Sequence, residues 1–216
     1  MARLLRMAHS YDTAKTAFVL VDPYNDVLAE EGKFYPRLKE VAETVGLHQH
    51  LRDLLAAVRA AGVLVVIAPH RRWRPGDAEG WQRPARPHLT LRDGKVYEYG
   101  AFGGQWYPDL APRDGDVVAS EHWGETGFMH TDLDQQLRQH GIETIILAGL
   151  TAPGCVEGTG RWAIELGYAV TLVQDATAAT SAEHMHAAVE LNAPLYAESV
   201  LTTADVIARL NHQKRS

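Results

Sequence analysis

The stretch Thr144-Ile145-Ile146-Leu147-Ala148-Gly149, then Leu150-Thr151-Ala152-Pro153-Gly154-Cys155, then Val156-Glu157-Gly158-Thr159-Gly160-Arg161-Trp162-Ala163-Ile164-Glu165-Leu166, decides the fold class. Its first part is apolar and rich in β-branched residues, which predicts a strand buried on both faces. Its last part carries helical spacing and is stopped by Gly167. The same alternation runs outward in both directions. Strands are predicted at 16–21, 63–68, 117–119, 144–148, 169–173 and 200–201. Helices are predicted at 38–61, 132–139, 156–166, 181–191 and 204–210, with Ser181 as an N-cap and Gly62 and Gly141 as stops. Near-continuous apolar strands alternating with helices imply parallel pairing through right-handed crossovers. The expected fold is a three-layer α/β/α sandwich around a central parallel sheet, in one domain spanning 1–216.

One region does not follow this rhythm. Residues 70–115 are rich in Arg, Trp, Pro and Gly, and too long for an ordinary connection. The aromatic content of this loop argues against disorder, so a lid, a pocket wall or a subunit contact is expected.

Composition narrows the function classes. The 216 residues are 46% hydrophobic and 22% charged, as in ordinary globular chains. A net charge of −6 without a basic block argues against a nucleic-acid partner. One cysteine forms no internal disulfide, which fits a reducing compartment. No signal-peptide core is seen in residues 1–10, and no apolar run approaches a membrane span. The expectation is a cytoplasmic protein with no membrane partner, acting on a small molecule.

Ligands of open parallel sheets bind beyond the carboxyl ends of the strands, so chemistry is sought there. Cys155 falls between a strand and a helix start. Unpaired N–H groups and the helix dipole favour an anion at such a place, so a thiolate nucleophile is expected. Alternatively, a lone cysteine is simply a small buried hydrophobe. Asp22 follows an apolar run directly and is either a base for that thiol or a turn aspartate. Backbone amides of the turn, at Thr151, Ala152 and Cys155, offer an oxyanion site. Metal and cofactor signals are weak. No Asp-x-His pair follows strand one, His184 and His186 are two apart, and no phosphate-binding glycine loop occurs. Neither a cofactor nor a dedicated zinc site is expected.

These residues carry a resemblance. Phe18-Val19-Leu20-Val21-Asp22-Pro23-Tyr24-Asn25-Asp26 is similar to the first-strand motif of the isochorismatase-like cysteine hydrolases: a hydrophobic run, Asp, two residues, Asn-Asp. Thr131-Asp132-Leu133, the turn from Leu147 through Cys155 to Glu157, and Asp175-Ala176-Thr177 resemble later motifs in the same order. The resemblance spans roughly residues 15 to 210. It implies a cysteine hydrolase that cleaves a small amide, ureido or related C–N bond through a thioester, as a homodimer or homotetramer. Cys155 carries over as nucleophile and Asp22 as acid/base. A cis peptide between non-proline residues is implied near Leu150-Thr151-Ala152.

Two positions depart from the family pattern. The lysine that completes the family's triad is replaced, by His122 when counted back from Thr131 or by Glu121 when counted forward from Gly115. Pro153 stands where the family usually has Asn. Two other functions therefore stay open: an isochorismatase-type vinyl-ether hydrolase using Asp22 as general acid, and a non-catalytic binding protein. Substrate contacts are sought at Tyr24, Asn25, His70, Trp81, Trp106 and Phe128. Tyr99 and Phe102 offer further stacking, and Arg71, Arg72 and Arg74 could bind a carboxylate.

Overall fold

The computed structural model describes residues 10–212, so most of the N-terminal stretch read above for a leader lies outside the described residues. Six strands form one parallel sheet: β1 (Thr16–Val21), β2 (Leu64–Ala68), β3 (Val117–Val118), β4 (Thr144–Leu150), β5 (Ala169–Ala178) and β6 (Ser199–Leu201). Their order is β3-β2-β1-β4-β5-β6. The order reverses between β1 and β4, which is where open sheets of this kind place their ligands.

Side chains alternate across each strand and fill two cores. Phe18, Leu20, Val65, Ile67, Ile146 and Ala148 point to one face. There they meet α2 (Lys39–Val45), α3 (Leu47–Ala60) and α8 (Thr203–His212) through Val41, Leu51, Leu54, Leu55, Val58 and Val206. Ala17, Val19, Val21, Val66, Ile145 and Leu147 point to the other. There they meet α5 (Leu133–Gln139) and α6 (Glu157–Glu165) through Leu133, Leu137 and Ala163. Each buried Leu, Ile, Val or Phe contributes roughly 1.5–3 kcal/mol relative to exposure. Both faces of the sheet are therefore covered, which is the expected three-layer sandwich. Among the described residues, no helix is long and apolar enough to cross a membrane.

Three boundaries differ from the sequence expectation. The helix expected over 38–61 is two helices, because Gly46 turns left-handed (φ 67°) and its N–H bonds the Ala42 and Glu43 carbonyls. Strand β5 runs on to Ala178, with a shift in register against β4 between Leu147 and Gly149. Its Asp175 accepts hydrogen bonds from the Thr203 N–H (2.7 Å) and hydroxyl (2.8 Å), which caps α8. The helix expected over 181–191 begins as α7 (Ala182–His186), with the Ser181 hydroxyl accepting from the His184 N–H as predicted, and then widens into a π-turn over Ala187–Asn192.

The long loop is ordered by the segment that follows β1. It contains α4 (Arg86–Gly94) and two short 3-10 turns. The buried carboxylate of Asp26, within the four-residue α1 (Asn25–Leu28), accepts from the N–H groups of Tyr97 (2.6 Å) and Lys33 (2.9 Å). Tyr24 stacks on Trp106 at 4.7 Å, and the Tyr107 N–H donates to the Pro23 carbonyl.

Candidate active site

Three strand ends converge at the switch point. Asp22 follows β1 with φ 54°, a left-handed conformation that aspartate tolerates better than most residues. Its side chain is 1% exposed. His122 lies beyond β3, where a parallel bridge to His70 extends the β2–β3 pairing. Cys155 lies in a π-turn (Ala152–Val156) between β4 and α6. The ligand-type atoms of Asp22, His122 and Cys155 lie within 4.8 Å of one another.

The two candidates for the third position lie in different surroundings. His122 Nε2 lies 3.1 Å from Asp22 Oδ1, and the imidazole is fully buried. Glu121 instead faces the loop, where Arg72 and Arg71 pair with it. Glu121 is therefore an anchor for the loop and is not part of the Asp22–His122–Cys155 cluster.

His122 also has a fixed tautomer. Its Nδ1 lies 2.7 Å from the Gly124 carbonyl, which can only accept, so Nδ1 carries a hydrogen. The 3.1 Å contact between Nε2 and Oδ1 then needs one proton between them. Either an imidazolium donates to a carboxylate, or a carboxylic acid donates to a neutral imidazole. In both forms the pair is neutral overall, as a lysine–carboxylate pair would be, but a neutral imidazole with Nδ1–H keeps a lone pair on Nε2, which an ammonium lacks. Asp22 Oδ2 has no hydrogen-bond partner, and the carboxylate reaches toward the Cys155 thiol.

The thiol departs from expectation. Cys155 precedes α6 from inside the π-turn, and burial pushes its thiol well above the ordinary range. The negative charge of Asp22 adds in the same direction. The resting group is a thiol, not the thiolate inferred from its place before a helix. Iodoacetamide labelling of Cys155 is therefore expected to inflect above the ordinary range of roughly 8–9. Asp22→Asn removes a negative charge beside the sulfur and should bring the inflection down. A wild-type inflection below about 7 would contradict this environment.

The turn around Cys155 brings the predicted backbone together. The Leu150–Thr151 peptide is cis, within the stretch that the family resemblance indicated. The Thr151 carbonyl accepts from the N–H groups of Gly154 (3.1 Å) and Val156 (3.2 Å). Thr151, Gly154 and Cys155 line a cavity of about 490 Å³, while Ala152 is buried behind them.

Most of the expected substrate contacts lie elsewhere. His70 lines the cavity. Burial and neighbouring His122 push it down to about 4, so it is neutral at neutral pH. Tyr24 and Trp106 pack on each other, and the Tyr24 hydroxyl donates to the His70 carbonyl. The Asn25 amide donates to the Phe102 carbonyl, and Phe128 is buried against Tyr168. These four residues hold the loop and core and do not line the cavity. Trp81 packs against Trp123 and His88 beside a separate, smaller pocket. Tyr99 and Phe102 are exposed. Arg71 is paired with Asp77 of the loop, Arg72 with Glu121 beyond β3, and Arg74 lies over Tyr99. The cavity instead presents Phe34, Arg37, Arg86, Tyr97, Trp123 and His184. Tyr97 belongs to the aromatic set of the loop, but nothing in its local sequence distinguishes it. Arg86 lies in the Arg-rich loop for which a pocket wall is one expectation, whereas Arg37 and His184 lie outside the quoted motifs.

Comparison with known proteins agrees with this architecture. The isochorismatase domain family model matches residues 16–205. An isochorismatase family protein of Bacillus subtilis, YwoC, is 37% identical over 88% of this chain and 92% of its own. The ureidoacrylate amidohydrolase RutB of Caulobacter vibrioides is 25% identical over 90% of each chain. The crystal structure of a cysteine hydrolase from Pseudomonas syringae pv. phaseolicola superposes with a TM-score of 0.80, at 26% identity over 98% of each chain.

Proposed function

The chain belongs to the isochorismatase family of hydrolases, and from that premise we propose that it is a cysteine-dependent amidohydrolase of a small amide or ureido compound. The observation that carries this is the convergence of Cys155, Asp22 and His122, with Asp22 and Cys155 lining one cavity and His122 fully buried against Asp22. The relative named as a ureidoacrylate amidohydrolase supports the bond type.

The residues provide each step. With the shared proton on His122, Asp22 is a carboxylate and takes the thiol proton through Oδ2. Sγ attacks the substrate carbonyl, and backbone amides of Thr151, Ala152 and Cys155 are the donors proposed for the oxyanion. Asp22 returns the proton to the leaving nitrogen, the C–N bond breaks, and a thioester remains on Cys155. Water then attacks the thioester while Asp22 accepts its proton. The C–S bond breaks and the thiol is restored. His122 supports Asp22 through both halves, and its Nδ1–H···O=C bond to Gly124 keeps the ring from turning away.

Arg37 and Arg86 line the cavity, so the substrate class we favour carries a carboxylate besides the scissile bond. The test is a panel of ureido acids, N-carbamoyl amino acids and their neutral amide counterparts, followed by product release. Hydrolysis of the acids over the neutral analogues is expected, with Arg37→Ala and Arg86→Ala raising KM more than they lower kcat. Equal rates on neutral and anionic members would contradict the carboxylate assignment. Failure of the whole panel would contradict the amidohydrolase reading.

A further inference from the structure

The spacing of residues along the chain shows no metal motif, because a ligand set drawn from three separate strand ends leaves none. We propose that Asp22, His122 and Cys155 together bind a thiophilic divalent cation, zinc(II) being the type, with a fourth position open to the cavity, and that the bound ion reversibly blocks hydrolysis. The site goes beyond the hydrolase reading, and its occupancy is measured without any substrate.

Three observations carry it. First, the donors are a thiol, an imidazole and a carboxylate within 4.8 Å of one another, a set suited to zinc. Among the described residues, no other three such side chains come this close. Second, Asp22 is 1% exposed and its Oδ2 has no hydrogen-bond partner, so a buried acceptor faces the group unsatisfied. Third, the His122 Nδ1–H is held by the Gly124 carbonyl, which leaves Nε2 turned inward. Metal-bound histidines are oriented by this kind of outer hydrogen bond. A lysine in this position would be an ammonium with no lone pair to offer. The departure from the family pattern is therefore what completes the ligand set.

The geometry needs only a small contraction. Ligand atoms around a tetrahedral zinc lie roughly 3.3–3.6 Å apart, so the three side chains close by about 1 Å on binding. The charge also balances. The thiol releases its proton, the Asp22–His122 pair releases the proton it shares, and both go to solvent. The dication with one thiolate, one carboxylate and a neutral imidazole is then neutral, as the empty triad is. With Sγ and Oδ2 both on the metal, neither nucleophile nor base is available.

The experiment is titration of the metal-free, full-length protein with zinc(II) alone by calorimetry, and with cobalt(II) followed by absorption. The expected result is one ion per chain, a thiolate-to-cobalt charge-transfer band, and protection of Cys155 from iodoacetamide. Cys155→Ala should abolish the band, and His122→Lys should weaken zinc binding at least about tenfold. Circular dichroism reports whether each variant folds, and Asp22→Asn replaces His122→Lys if that variant does not. Wild-type affinity in both ligand variants, or a wild-type thiol still labelled at zinc saturation, would overturn the site. For a substrate found independently, zinc should stop turnover and a chelator restore it. Turnover that persists with the thiol protected would overturn the inhibitory role. Zinc binding in a protein that hydrolyses nothing would sink the hydrolase reading and leave the metal site standing.

Discussion

Cys155→Ala is expected to reduce turnover by about 10⁴-fold or more without unfolding the protein, as loss of a covalent nucleophile does elsewhere. Alanine removes only the sulfur, and Cys155 packs at the edge of its core rather than inside it. Asp22→Asn should be similarly damaging, because the amide can neither take the thiol proton nor protonate the leaving nitrogen. It also leaves a buried His122 facing a group that cannot share its proton. Groups that act as one unit are strongly non-additive. The double variant should therefore be little worse than either single one. Activity that survives in Cys155→Ala but is lost in Asp22→Asn would instead indicate an Asp22 general-acid route, as in vinyl-ether cleavage. Retention of activity in both variants would remove the triad from the reaction.

Gly149→Ala is expected to lose at least about 3 kcal/mol of stability, in the range of severe steric substitutions. Gly149 pairs with Val21 in the centre of the sheet and has φ 116°. A Cβ there would lie 2.2 Å from the Val21 carbonyl oxygen and 2.6 Å from its nitrogen. Both are backbone atoms of the neighbouring strand and cannot swing aside as a flexible side chain can. Any relief must push β1 away from β4, and Val21 is the residue immediately before Asp22. The variant that does fold should therefore also lose activity. Gly62→Ala is the control, since Gly62 has φ 75° but nothing within 4 Å of a new Cβ. It should cost only the left-handed strain of about 1 kcal/mol. Urea denaturation of the two variants checks the difference. Equal midpoints would contradict the close approach of β1 and β4.

The sheet was legible in the sequence because its strands are buried on both faces, which leaves near-continuous apolar runs such as Thr144–Leu150. Helix existence was legible from spacing, but not the break at Gly46, since α2 and α3 bury their apolar residues in the same core and keep the pattern unbroken. Cys155 and Asp22 were legible as strand-end residues. The choice between Glu121 and His122 was not, because adjacent residues in extended chain point to opposite sides and counting from two anchors gave two answers. The cavity wall was least legible. Tyr24, Asn25 and Trp106 sit close to the site in sequence or composition, yet they hold the loop. Asp26 also holds that loop, through the Tyr97 N–H 71 residues away. The environment of the thiol differs from the sequence expectation for a related reason. The helix start was visible in sequence, whereas the burial and the facing carboxylate come from other strands.

The most direct test of the central claim, that Cys155 is the nucleophile of an Asp22–His122–Cys155 unit, is acid quenching of the enzyme during turnover of the best substrate in the panel. Mass analysis of the peptide containing Cys155 then follows. The account predicts an acyl adduct on Cys155 with the mass of the substrate less its leaving amine. It should be labile to hydroxylamine as a thioester and absent from Cys155→Ala. Turnover with an unmodified Cys155 peptide at every quench time, together with full activity in Cys155→Ala, would contradict it.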